Sequence, residues 1–258
     1  MVALSNRPLS PLALTYHGVC DLPRSQDHYR LCVAPDQLRR HIAKLRSWGY
    51  QLLTFGELAR RAREGDAAGC AALTFDDGLE DNLTHLVPVL AESGVPATVF
   101  VVSGWLGRPH PDLPSRRILT AEEVRDLHSA GVEIGGHTVT HADLSTIGYP
   151  DSVREQAEAR RQLEGLIDAP VTSAAYPFGR VAPDTAEACR VAGYRAACRI
   201  SGEGAWDDPF NLPRQNMVNG SSLFSLRLKR DNRYETLKET APARAARAVV
   251  RRARASFV

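Results

Sequence analysis

The feature that most constrains the fold is an alternation of short apolar segments with longer amphipathic ones along most of the chain. Apolar runs at 12–16, 71–75, 98–102, 133–136 and 173–176 are followed by helical patterns at 35–48, 82–93, 121–130, 152–167 and 183–191, and a further apolar run spans 194–200. Runs that are apolar throughout suit strands buried on both faces, and strand–helix alternation predicts a parallel α/β sheet or barrel. The chain has 258 residues, 43% of them hydrophobic and 24% charged. That is enough for one barrel of about 250 residues, and a single domain is expected. Helix signals agree. Thr120 stands three residues before Glu123, a capping-box spacing, and Pro35 opens a helix whose Leu38, Ile42 and Leu45 form one apolar stripe.

Two segments carry the chemistry. The run 70–75 reads as a buried strand delivering Asp76 and Asp77 to its C-terminal end, where Gly78 permits a sharp turn. At a strand end the chain leaves the pleat, so neighbouring carboxylates can converge on one site. One can then bind metal while the other handles protons. The second segment, His137-Thr138-Val139-Thr140-His141, follows another short strand. Its histidines are four residues apart, so on a helical turn both imidazoles lie on one face, as in paired-histidine zinc sites. Two imidazoles and one carboxylate make three protein ligands and leave open positions, the arrangement of a catalytic metal site.

These residues resemble the polysaccharide deacetylase family, carbohydrate esterase family 4. The similarity includes Thr74-Phe75-Asp76-Asp77-Gly78 with Asp81-Asn82, and His137 to His141 with Asp143-Leu144, and it extends over roughly residues 11–220. The resemblance implies an α/β fold of the distorted (β/α)7-barrel type that removes an acetyl group from a sugar, usually an N-acetylhexosamine. It further implies that Asp76 is the general base, that Asp77, His137 and His141 hold one divalent metal, and that a main-chain N–H in the third motif, here Phe178, helps bind the oxyanion. Zinc is the expected metal, with cobalt, nickel and manganese also compatible with this donor set. The third motif departs from the family pattern: Ala175 stands where an arginine is common. Arg214 is the candidate replacement, with a strand-capping surface arginine as the alternative. The family's C-terminal Leu-x-x-His motif is also missing, since no histidine follows His141. Leu14-Thr15-Tyr16-His17 has that pattern near the N-terminus, as in relatives that deacetylate poly-N-acetylglucosamine. His17 is therefore the expected general acid, against the alternative of a histidine tying down a loop. His28, His41, His85, His110 and His128 lack such a context and are read as surface or interface residues.

Two effects oppose each other at Asp76. A nearby cation lowers its pKa, while an apolar setting beside Phe75 and Phe178 raises it. Trp105, in a loop rich in glycine and proline, either stacks on a sugar face or covers the core, and Trp206 in the 201–209 loop is a further candidate for the cleft. The five cysteines have no paired spacing, and Cys70 and Cys198 fall in apolar strands, where they act as small hydrophobes. With no signal peptide or membrane span visible, a cytoplasmic location is expected, with an intracellular glycan precursor, glycolipid or sugar conjugate as substrate.

Residues 227–258 carry ten Lys or Arg against three Asp or Glu, whereas residues 1–226 carry 22 against 27. A catalytic barrel over 1–226 and a basic tail over 227–258 are expected. The tail is helical or disordered and able to make weak contact with an anionic membrane surface. Nucleic acid is not an expected partner, because the tail lacks stacking aromatics. Two other readings share these residues: an amide hydrolase with a non-sugar substrate, and a catalytically silent metal- or glycan-binding protein.

Overall fold

Side chains along the apolar segments sort by size across the pleat, and this sorting shapes the molecule. In the computed structural model, which describes residues 9–200 and 204–234, the strands Leu12–Tyr16, Cys70–Phe75, Thr98–Val101, Glu133–Gly136, Ser173–Ala175, Ala196–Ile200 and Leu212–Asn216 pair in parallel in chain order, and the last returns to the first. The result is a closed (β/α)7-type barrel in one domain. Large residues such as Leu14, Tyr16, Leu73, Phe75, Val99 and Ile134 point outward into the layer beneath the helices. Small ones, among them Ala13, Ala72 and Ala175, share a separate cluster with Phe100, Cys198 and Leu212. Successive strand residues face opposite sides, so this second cluster is the barrel interior.

An eighth strand, Gln51–Leu53, pairs with the first half of Cys70–Phe75, on the edge that Thr98–Val101 takes farther along. It leads into the helix Phe55–Glu64, capped by Thr54 and closed by Gly65 at φ 77°. The sequence pattern did not reveal this unit, because a three-residue strand with one buried side chain leaves little periodicity. The expected helix over 82–93 is divided into a π-helical turn, Asn82–Leu86, and the helix Val87–Ser93. Thr120 forms the full capping box with Glu123. The helix Pro35–Ser47 buries Leu38, Ile42 and Leu45 as expected, but also His41. His41 is therefore not a surface residue: its ring meets the Tyr16 hydroxyl at 3.0 Å and the Ser221 carbonyl at 2.9 Å.

Trp206 is also corrected. It packs against the interior cluster and lines a small hollow with Ser10, Pro11 and Leu12, at the start of the first strand and away from the strand C-terminal ends. All five cysteines are buried and free. Among the described residues no helix is long and apolar enough to cross a membrane. The helix Leu223–Arg230 runs through the expected boundary at 226/227, burying Leu226 and Lys229. Residues 235–258, most of the basic tail, lie outside the described residues.

Gly135 shows how tightly the interior is fitted. A Cβ there would meet the Phe100 ring at 2.3 Å and the Ser173 carbonyl oxygen at 3.0 Å. Gly135→Ala is expected to destabilise the fold by about 1–3 kcal/mol through overpacking. Urea unfolding checks this, and an unchanged midpoint would show that the ring moves aside freely.

Candidate active site

The site lies where the strands end. Asp76 and Asp77 directly follow Cys70–Phe75, His137 follows Glu133–Gly136, and His17 follows Leu12–Tyr16. This is the C-terminal rim of the barrel, where parallel β/α barrels place their functional side chains. Asp77 adopts φ 74° and Gly78 φ 79°, so the chain turns abruptly and adjacent carboxylates leave in different directions. Each then finds a different partner.

Asp76 turns to the barrel axis. Arg214 donates from one terminal nitrogen to Oδ1 at 2.6 Å and from the other to Oδ2 at 2.8 Å, and it also donates to the Thr74 hydroxyl at 2.9 Å. Both ionic partners are buried, Arg214 fully. The fork geometry suits a carboxylate, and the guanidinium also lies 5.3 Å from the Phe100 ring centroid. Burial acts to raise the Asp76 pKa, but the charge and hydrogen bonds of Arg214 outweigh it, and the carboxyl lies below its ordinary value. The cation thus prevails over the apolar setting. Arg214 is no surface cap.

Asp77 turns to the histidines. Its Oδ1 is buried without a hydrogen bond and lies 3.6 Å from His137 Nε2 and 3.5 Å from His141 Nε2. One donor atom from each of the three residues falls within 4.8 Å of the others. His137 Nδ1 lies 2.8 Å from the Ala175 carbonyl, which accepts its proton and leaves Nε2 with a lone pair aimed at Asp77. An orphaned carboxylate oxygen facing two imidazole nitrogens fits a divalent cation. Burial and the neighbouring His137 push the His141 pKa down to about 4 against the pull of Asp77 and Asp76, so its imidazole is neutral as a ligand must be.

The histidines do not share a helical turn, contrary to expectation. Thr138 and His141 have φ of 64° and 59°, and the loop between them is held by Glu155, whose carboxylate accepts the Val139 and Thr140 amides, both at 2.9 Å. Capturing those amides bends the chain away from a helix while still bringing the two rings to 5.0 Å.

His110 was missed. Read as a surface residue, it is instead buried, with Nε2 3.0 Å from Asp77 Oδ2. Its Nδ1 accepts the Asp112 amide at 3.0 Å, so Nε2 carries the proton and donates to Asp77. That bond occupies Oδ2, which leaves Oδ1 for a cation. The available signal was position: His110 lies in the glycine- and proline-rich loop that leaves the C-terminal end of Thr98–Val101. His28 and His85 are exposed as expected, and His128 is partly exposed.

His17 is partly exposed, with Nε2 4.0 Å from Asp77 Oδ2, and Asn82 donates to its carbonyl at 2.9 Å. Phe178 has φ 58° and sits in a short 3-10 turn after the strand Ser173–Ala175. Its half-exposed ring lies 4.7 Å from that of His141, and Trp105 lies 5.0 Å from the same imidazole. His141 is thus flanked by two aromatics, and Trp105 both borders the site and covers a buried cluster that includes Leu79, Leu113 and Ile118.

A sequence model of the polysaccharide deacetylase family matches residues 63–197, more than half of the chain. The chain belongs to this family. YxkH of Bacillus subtilis, named for the same family, is 26% identical over 193 residues, 74% of this chain and 64% of its own length. A chitooligosaccharide deacetylase of Sinorhizobium fredii is 35% identical over 119 residues, 45% of this chain and 50% of its own length. The matches therefore span less than two thirds of either relative. The Streptococcus pyogenes deacetylase PplD, solved with acetate, superposes with a TM-score of 0.74 at 23% identity, covering 86% of this chain and 99% of that one, and shares the fold.

In this member of the family, the guanidinium beside Asp76 comes from Arg214 and not from position 175, where the Ala175 carbonyl instead accepts from His137. Arg214→Met would leave a buried carboxylate unpaired, with an expected loss of about 3–5 kcal/mol. The double variant Asp76→Asn/Arg214→Met should regain part of it. Equal losses in urea unfolding would show that packing, and not the ion pair, sets the effect.

Proposed function

We propose that this protein is a metal-dependent hydrolase that removes the acetyl group from an N-acetylhexosamine in a glycan, glycolipid or sugar conjugate. The observation that carries the reading is the division of labour between adjacent carboxylates: Asp76 is paired with Arg214, and Asp77 faces His137 and His141. Membership of the deacetylase family and the chitooligosaccharide deacetylase among its relatives support the substrate class.

Asp77, His137 and His141 would hold one divalent cation, with zinc best suited to two imidazoles and a carboxylate. When bound, the cation polarises the acetyl carbonyl and lowers the pKa of an adjacent water. Asp76 accepts the proton of the attacking water, and Arg214 keeps its carboxylate ionised and aimed. His110 holds Asp77 Oδ2 and so orients the ligand carboxylate. The Phe178 main-chain N–H donates to the acetyl oxygen as it gains charge. An amine leaves poorly unless protonated, so His17 as imidazolium delivers a proton to the sugar nitrogen. Acetate and the free amine are the products. Trp105 and Phe178 offer apolar walls suited to the acetyl methyl group and a sugar face.

Acetate release from N-acetylglucosamine substrates, from monosaccharide to oligomer and glycolipid, tests the proposal on protein stripped of metal and then reloaded. Activity should vanish on stripping and return with zinc or cobalt. Asp76→Asn should lose about 10²–10⁴-fold in turnover while binding metal normally. Turnover retained by Asp76→Asn, or release from acetylated non-sugar amides only, would overturn the reading.

A further inference from the structure

Beneath the loop that carries His17 lies a second cluster of metal-ligating side chains. Cys20, Cys32 and Asp81 are all buried, with relative exposures of 2%, 0% and 0%, and one donor atom from each falls within 4.8 Å of the others. Around the two thiols pack Leu22, Leu79, Leu113 and Ile118, so the surroundings are apolar. The Asp81 carboxylate is aimed. Its Oδ1 accepts the Val19 amide at 2.7 Å, whereas Oδ2 is buried with no hydrogen bond from a nitrogen or a hydroxyl, and the weakly donating Cys20 thiol is the group beside the carboxylate. Gly18 keeps the space open: a Cβ there would meet Cys32 Sγ at 2.8 Å and Asp81 Oδ2 at 3.1 Å.

A buried carboxylate oxygen served only by weakly donating thiols is poorly satisfied, which is unfavourable unless something else binds it. A thiophilic divalent cation satisfies all three groups together. We propose that Cys20 Sγ, Cys32 Sγ and Asp81 Oδ2 form a second metal site that takes zinc or a similar thiophilic ion, separate from the site at Asp77, His137 and His141. Each thiol gives up its proton to solvent as its sulfur binds, and the carboxylate binds through Oδ2. Zinc–sulfur bonds of about 2.3 Å in a tetrahedral site set two sulfurs about 3.8 Å apart, so the donors need close by no more than about 1 Å. The third protein donor is a carboxylate, and one position remains.

The site would brace the rim. Asp81 holds the Val19 amide, and the next residue, Asn82, holds the His17 carbonyl, so an ion at Asp81 fixes the turn on which His17 is mounted. This consequence does not depend on the chemical role of His17.

Cobalt(II) is the probe, because thiolate ligands give an intense near-ultraviolet sulfur-to-cobalt absorption that imidazole and carboxylate ligands do not. The reduced full-length chain should bind two cobalt ions and show that band. His137→Ala/His141→Ala should bind one ion and keep the band, whereas Cys20→Ser/Cys32→Ser should bind one ion and lose it. Failure of the cysteine variant to fold leaves the test intact, since the unmodified chain and the histidine variant report on the thiolates directly. Cobalt bound without the band in the unmodified protein, or a band that survives loss of both cysteines, overturns the proposal.

Discussion

The buried pair between Arg214 and Asp76 is the interaction on which the rest of the site depends. A guanidinium with no solvent contact is tolerable only if a carboxylate meets it with good geometry, and here two short, parallel hydrogen bonds do so. The remaining interior is shaped to admit it. Several strand positions facing the axis are small, among them Ala13, Ala72, Ala175 and Ala196, which leaves room for one large cation and for the Phe100 ring beside it. Gly135 in turn makes room for Phe100. A chain of steric allowances thus runs from a glycine in one strand to the carboxylate at the end of another.

With Asp76 occupied, its neighbour is free for a different task. Asp77 has one oxygen held by His110 and the other directed at two imidazoles whose own geometry is set by the main chain, His137 by the Ala175 carbonyl and His141 by a loop that Glu155 gathers. Two carboxylates adjacent in sequence therefore experience different fields: one beside a permanent cation, the other facing two imidazole nitrogens. That asymmetry is what allows one to be proposed as a base and the other as a metal ligand.

Much of this was legible from sequence because it follows from periodicity and local spacing. Apolar runs ending in Asp76-Asp77 and in Gly136-His137 marked both strand ends, and the capping box at Thr120 marked a helix start. What escaped depended on contacts between distant residues. His110 looks like any loop histidine until the barrel brings its loop over Asp77, and His41 looks like a helix-surface residue until Tyr16 and Ser221 close on it. The helical expectation for residues 137–141 failed because a carboxylate from Glu155, remote from the pair in sequence, captures the amides a helix would have used. Trp206 was misplaced for a related reason: the loop it occupies returns to the start of the barrel before the last strand begins.

The central claim is that one cation sits among Asp77, His137 and His141 while Asp76 stays with Arg214. Anomalous diffraction at the zinc edge, from crystals grown with zinc, tests it most directly. The account predicts a peak bonded to Asp77 Oδ1 and to Nε2 of both histidines, with the fork between Arg214 and Asp76 intact. A peak bonded to Asp76, or the absence of any peak at the three ligands, would contradict it.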